Sequence, residues 1–303
     1  MKAKNPAHKL KPHKQQPNKN YVLSNPDKIL YPEQKITKLD LANYYEQVQT
    51  WILPYITNRF LTIVRCPEGI QKECFYQRHL NEISIKNIYS LHQTTKAEKY
   101  LYIKDKLGLM ALVQLGVLEI HPWSCRIDSI DKPDLIILDL DPGPEVEWKK
   151  VIDAAFFIRE NLTKLNLISF VKTTGGKGLH IVIPIKRQYS WEKVKIFAQS
   201  FVKYLEMLKP GLYISNMNKS KRKGKIFIDY LRNQRSATAI APYSTRAKKN
   251  ASLAIPLGWD ELSVKIKSDT FTVKTLPKRF ARLKQDPWVE FFSLKQTLRL
   301  PEV

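Results

Sequence analysis

Residues Leu135 to Pro144 read Leu-Ile-Ile-Leu-Asp-Leu-Asp-Pro-Gly-Pro. The apolar run fits a strand buried on both faces until it reaches an acidic end. Side chains alternate with period two along a strand, so Asp139 and Asp141 share one face, while Ile136, Leu138 and Leu140 share the other. Pro142, Gly143 and Pro144 end the strand, because proline cannot donate a ladder hydrogen bond, and the pair is left at a sheet edge facing a loop. Two adjacent carboxylates repel unless one is protonated or a hard divalent cation such as Mg²⁺ or Mn²⁺ lies between them. Asp-x-Asp also caps strands and opens turns, so the motif alone leaves both readings open.

The chain around this run has 303 residues, 43% hydrophobic and 26% charged, enough to bury a core without staples. Lysine and arginine outnumber the acids by 51 to 28, a net charge of +23 that favours a polyanionic partner. Nucleic acid ranks above a membrane surface, since no apolar run reaches the length of a span. The cysteines, Cys66, Cys74 and Cys125, are odd in number and form no Cys-x-x-Cys pair, so buried free thiols in a reducing compartment are expected. The N-terminus lacks the apolar core of a secretory signal, and a cytoplasmic, nucleoid-associated protein is expected.

Residues 1–20 hold six lysines, two histidines and three prolines with no acid, the composition of a disordered basic tail. A single domain is expected over 21–303. Thr37 with Asp40 resembles a capping box opening a helix through Leu53, and Lys28 and Lys38 flank that entry. Arg59 to Arg65 reads as a strand, followed by a turn at Pro67 to Gly69 and a stretch holding Phe75, Tyr76 and Arg78. Basic and aromatic residues interleaved in this way suit stacked bases beside phosphates, but adjacent aromatics next to an apolar strand are more often core. Gly108 to Ile120 reads as a helix leading into a strand that delivers His121. Val151, Ala155, Ile158 and Leu162 fall on one helical face, and a strand is expected over Leu167 to Lys172.

Thr173-Thr174-Gly175-Gly176-Lys177-Gly178-Leu179-His180 follows, leading into a strand over Ile181 to Ile185. Glycines around a lysine let backbone amides approach a phosphate while the ammonium neutralises it. This is not a Walker A loop, and a glycine-rich hairpin turn is the competing reading. A helix is expected from Trp191 to Leu208, stopped by Pro210-Gly211. Lys219 to Lys225 then carries five cations in seven residues and runs into a strand, Ile226 to Leu231, whose interior acid is Asp229. A lone acid among apolar neighbours is costly to bury unless paired or bound to metal, which makes Asp229 the natural third carboxylate. Arg232, Arg235 and Arg246 lie around the strand-like Ala237 to Tyr243.

Three carboxylates, a Gly-Lys-Gly loop, histidines and a basic surface converge on two-metal phosphoryl chemistry, with ions roughly 3.5 to 4 Å apart. The runs Ser24-Asn25-Pro26-Asp27-Lys28 with Leu30-Tyr31-Pro32, Leu118-Glu119-Ile120-His121, Leu138-Asp139-Leu140-Asp141-Pro142-Gly143, Gly175-Gly176-Lys177-Gly178-Leu179-His180, and Ile228-Asp229-Tyr230 through Ala241-Pro242-Tyr243-Ser244 resemble the polymerase domain of bacterial DNA ligase D. That domain belongs to the archaeo-eukaryotic primase superfamily. The resemblance implies an α/β (α+β) fold of mixed, largely antiparallel sheets flanked by helices, around a primase-polymerase catalytic core.

It also implies a template-directed nucleotidyltransferase that adds nucleotides, preferentially ribonucleotides, to primer 3′-ends at gaps and double-strand breaks in nonhomologous end joining. Its expected partners are DNA with a gap or 3′-overhang and a 5′-phosphate, nucleoside triphosphates, Ku and a DNA ligase, with no membrane. By the same resemblance Asp139, Asp141 and Asp229 hold catalytic Mn²⁺ or Mg²⁺. His121, Thr174, Gly176, Lys177, Gly178, His180 and Arg246 surround the triphosphate, Lys28 and Lys38 take a downstream 5′-phosphate, and Phe75 and Tyr76 meet the template. Arg65, Lys219, Arg222 and Arg232 lie at or beside basic DNA-binding positions. Thr174, Tyr76 and Arg78 replace residues common in the family, serine, phenylalanine and lysine. Val64 stands beside Arg65 where some members have two basic residues. No Lys-x-Asp-Gly motif occurs, so ligation is not expected. A primase working on single-stranded template and an idle DNA-end-binding module are the alternatives.

Overall fold

The computed structural model describes residues 21–79, 85–92, 99–283 and 285–299, so the basic tail lies outside the described residues. In chain order the elements are β1 (Ile29–Tyr31), β2 (Ile36–Thr37), α1 (Lys38–Ile56), β3 (Leu61–Arg65), β4 (Phe75–Gln77), β5 (Tyr89–His92), β6 (Lys99–Tyr102), α2 (Lys106–Gln114) and β7 (Val117–Pro122). There follow β8 (Leu135–Pro142), α3 (Trp148–Lys164), β9 (Phe170–Thr173), β10 (Leu179–Pro184), α4 (Trp191–Leu208), β11 (Tyr213–Ile214), β12 (Ile226–Asp229), β13 (Pro256–Leu257) and α5 (Leu276–Phe280).

The acidic run forms β8, inside a six-stranded sheet of order β11-β12-β8-β10-β9-β13. All its pairings are antiparallel except β11 with β12. Ile136, Leu138 and Leu140 are fully buried, as a strand covered on both faces requires. Helices α3 and α4 pack against β8, and they bury Val151, Ala155, Ile158 and Leu162 from α3 and Val194, Phe197, Phe201 and Leu205 from α4. A three-stranded sheet of order β4-β3-β7 carries the other half of the molecule. This is a mixed α/β fold of largely antiparallel sheets and helices.

Local departures from the expected elements have local causes. Helix α1 continues past Leu53 to Ile56 although Pro54 lies inside its last turn, where the missing amide costs one bond. β9 begins three residues later than expected. Ala237 to Tyr243 forms no strand, only a bridge from Thr238 to Trp123 followed by a turn at Pro242. β12 ends at Asp229 because the Asp229 carboxylate accepts the Leu231 amide at 2.8 Å, turning the chain into a single helical turn at Leu231–Asn233. Beyond that point the fully buried Asn233 replaces the missing strand. Its amide oxygen accepts from Ile137 N at 2.7 Å, and its amide nitrogen donates to Ile137 O at 2.8 Å.

The cysteine expectation is corrected. Cys66 and Cys74 form a disulfide, and Cys125 is a buried free thiol whose pKa burial pushes up to about 12. The cause is the register of β3 on β4. Arg65 pairs with Phe75 and Val64 with Tyr76, so the next positions outward bring Cys66 opposite Cys74 with Cα atoms 4.4 Å apart.

The capping box is present in full. Asp40 N donates to Thr37 Oγ1 at 3.1 Å, and Thr37 N donates to Asp40 Oδ2 at 2.9 Å. Thr37→Ala should therefore cost about 1 kcal/mol and lower Tm by roughly 2 °C in a thermal melt; an unchanged Tm would show that the cap carries no stability.

Candidate active site

The register of the central sheet assembles three carboxylates. Asp139 is directly opposite Asp229 on β12 and His180 on β10, and Asp141 follows two residues on, so the three acids share one face. Gly178 makes the approach of β10 possible, since a Cβ there would lie 1.9 Å from Leu140 O. Asp139 is 7% exposed, and burial opposes its ionisation. The His180 charge and hydrogen bond, with Arg232 and Lys172, reverse that effect and hold the carboxyl at about 2. His180 Nε2 lies 3.4 Å from Asp139 Oδ1. Arg232 Nε lies 3.4 Å from Asp139 Oδ2 and 3.3 Å from Asp229 Oδ2.

For the other two acids burial outweighs the nearby Arg232 and Arg222 charges. Burial, and then repulsion from Asp139, push Asp141 up to about 6, and burial raises Asp229. Three hard oxygen donors on one face, two of them with pKa values raised by burial, match the chemistry of a divalent cation. Arg232 now occupies the gap between Asp139 and Asp229, and among the described residues no three carboxylate, histidine or cysteine side chains converge on a common point.

A second cluster borders the first, and a residue not singled out from sequence organises it. Glu119, 5% exposed, accepts at one oxygen from His121 Nε2 at 2.8 Å. At the other it accepts from Arg246 Nε at 3.0 Å and Ala247 N at 2.9 Å. Burial alone would raise its pKa, but the His121 hydrogen bond and the Arg246 charge hold it at about 2. Arg246 Nη1 also donates to Thr174 O at 2.8 Å, which ties the glycine loop to the cluster. The Thr174 hydroxyl is spent inside that loop, donating to Gly178 O at 3.1 Å and accepting from Gly176 N at 3.2 Å, with Ser268 Oγ at 3.0 Å. Lys177 is exposed at the tip, and among the described residues no carboxylate pairs with it.

Lys172 lies between the clusters. It is 1% exposed, its Nζ has no hydrogen-bond partner, and burial lowers its pKa to about 7 although the Asp139 charge opposes this. Its charge depresses the pKa of both His180 and His121, although burial is the larger cause for each.

The remaining residues fall into two further groups. Lys28 donates to Glu68 at 2.6 Å and Pro67 O at 3.2 Å, and Lys38 donates to Ser24 O at 2.9 Å and Gln114 at 3.0 Å. Burial, then the nearby Lys28 charge, lowers the pKa of Lys38. Phe75 and Tyr76 are not core: they are 40% and 72% exposed on the edge strand β4. The Tyr76 ring is 6.4 Å from His121, and Arg65 lies 5.3 Å over the Phe75 ring while donating to Gln77 at 2.9 Å. Arg222 stacks 3.7 Å over Phe227, and its charge reaches Asp141 and Asp229. Lys219 is exposed on its single helical turn, and among the described residues no contact ties it to the carboxylates.

Glu119 and Lys172 had a sequence signal, a lone charge inside an apolar strand, which is the feature that marked Asp229. Ser268 had none.

The chain matches the family model described as LigD, primase-polymerase domain, over residues 37–288. It is 33% identical over 279 residues to the multifunctional non-homologous end joining protein LigD of Pseudomonas aeruginosa, covering 91% of this chain and 33% of that protein. It is 28% identical over 267 residues to the bifunctional protein LigD of Bacillus subtilis, covering 88% of this chain and 43% of that one. The chain thus spans about a third to two fifths of the length of these relatives. Among solved structures it superimposes on the polymerase domain from Mycobacterium tuberculosis ligase D in complex with DNA, with a TM-score of 0.83 and 28% identity over 92% of this chain and all of that one. With the family model covering most of its length and the same fold in a solved member, the chain belongs to the LigD primase-polymerase domain family.

Proposed function

We propose that this chain is a template-directed nucleotidyltransferase of bacterial end joining. It extends primer 3′-ends at gaps and double-strand breaks, preferentially with ribonucleotides, and works with Ku and a DNA ligase. The observation that carries this reading is the face shared by Asp139, Asp141 and Asp229, bordered by the cationic cluster built on Glu119. The three carboxylates would hold Mn²⁺ or Mg²⁺, which when bound lowers the pKa of the primer hydroxyl and neutralises the leaving phosphate.

The chain's own residues do the rest. Arg232 leaves the gap between the acids, and its charge is free to meet the DNA backbone. Arg246 and Lys177 present donors to the triphosphate beside His121. Glu119 keeps His121 and Arg246 in fixed orientation, so little reorganisation is needed when charge develops. Thr174 and Gly178 brace the loop from within. His180 holds Asp139 from the neighbouring strand, while burial and the Lys172 charge push its own pKa down to about 4. Tyr76 and Phe75 offer ring faces to template bases beside Arg65. The paired ammonium groups of Lys28 and Lys38 favour a gap over an unprimed strand, because only a broken strand presents a 5′-phosphate.

Asp139→Asn and Asp229→Asn should each lower primer extension roughly a hundredfold or more while leaving DNA affinity nearly intact. Full activity in either variant, measured on a labelled gapped substrate with Mn²⁺, would refute the metal assignment. Glu119→Gln keeps the shape but removes the charge that holds His121 and Arg246 in orientation. Its KM for nucleoside triphosphate should rise about tenfold, more than its kcat falls, and an unchanged KM in steady-state kinetics would show that the carboxylate does not serve the triphosphate. Lys28→Ala combined with Lys38→Ala should abolish any preference for a 5′-phosphorylated gap; a preference kept in the double variant would place the phosphate elsewhere.

A further inference from the structure

A cavity lies at the other end of β8, where the strand begins. It has a volume of about 340 Å³ and is floored by Leu135, Pro184 and Ile185, four to six residues from the carboxylates, or roughly 13 to 20 Å along the strand. Its walls are cationic. Arg59, 1% exposed, forks onto Asp134 at 2.6 and 2.5 Å, and Arg126 reaches the same carboxylate at 3.6 Å. Asp134 therefore serves two guanidinium groups, and Arg59 Nε remains buried without a hydrogen-bond partner.

Arg187 is matched by the exposed Asp128 at 2.7 Å. Lys186 and Lys295 also line the cavity, and among the described residues no carboxylate pairs with either. Five cations thus face two carboxylates. Burial lowers the pKa of Arg126, and the Arg59 charge lowers it further, as an excess of positive field would. One wall is aromatic: Phe291 is buried, whereas Phe292 leaves 46% of its surface open. A cavity of this size holds a small ligand. Unbalanced cations beside an open ring select a phosphate joined to a flat apolar group.

We propose that this cavity is a second nucleotide-binding site, separate from the carboxylate site, which takes a phosphate on Arg126, Lys186 and Lys295 and a base against Phe292. The nucleotide unit is either free or part of a nucleic-acid strand, and the two sources present the same chemistry. The site does not depend on the polymerase reading, because none of its lining residues is one assigned to catalysis.

The test is titration calorimetry with AMP and, separately, with a short oligothymidylate, in EDTA so that no divalent cation supports the carboxylate site. The variant Lys186→Ala with Lys295→Ala removes two exposed side chains, and Lys193→Ala with Lys203→Ala on α4 is its charge-matched control. The first variant should lose about tenfold in affinity, while the control and Lys177→Ala should not. Loss in the AMP arm identifies a free nucleotide; loss only in the oligothymidylate arm, and beyond the control, identifies a strand. Phe292→Ala should weaken AMP but not inorganic phosphate. No loss beyond the control in either arm, or a loss that follows Lys177→Ala instead, would overturn the proposal.

Discussion

A buried carboxylate in the middle of a sheet sets the terms for this protein. Taking Asp139 out of water costs several kcal/mol, and that cost is met only if positive charge and donors are brought to it. The sheet order meets the requirement. β10 supplies His180, the turn after β12 supplies Arg232, and β9 supplies Lys172 one strand further away. Each of these groups is itself buried or half-buried, so each depends on the acids in return. Glu119 repeats the pattern on the second sheet with Arg246 and His121. The two sheets are joined through charge as well as through apolar packing, because Lys172 acts on histidines of both.

Much of this was legible from residues alone. Periodicity placed α3 and α4 because their apolar positions recur at helical spacing, and the Thr37 cap marked the start of α1 because both of its side-chain bonds are local. Asp229 was legible because an acid inside an apolar strand needs a reason. The same logic applies to Glu119 and Lys172, which were hidden by more conspicuous neighbours, His121 in one case and the glycine loop in the other. What could not be read was anything set by register. Cys66 meets Cys74 because Arg65 pairs with Phe75, and an odd number of cysteines gives no hint of that. The exposure of Phe75 and Tyr76 follows from β4 being an edge strand, which is a property of sheet order and not of composition.

The resemblance to the ligase D polymerase domain named candidate site residues but not how they hold one another. Thr174 lies in the glycine loop, where its hydroxyl bonds within the loop and organises it. Arg232 stands between two acids, where charge neutralisation is its immediate task. Function here depends on groups that hold other groups still.

Asn233 extends that principle to the backbone. Where β12 stops, the edge of β8 would present a bare amide and a bare carbonyl at Ile137, and one side-chain amide covers both. An apolar residue of the same size would leave two orphaned groups, at about 1 to 3 kcal/mol each. The residue just before Asn233 is Arg232, so the amide works as an indexing pin. It fixes the guanidinium in register with the acids, and the angular freedom left to Arg232 lies in its own side chain rather than in the loop that carries it.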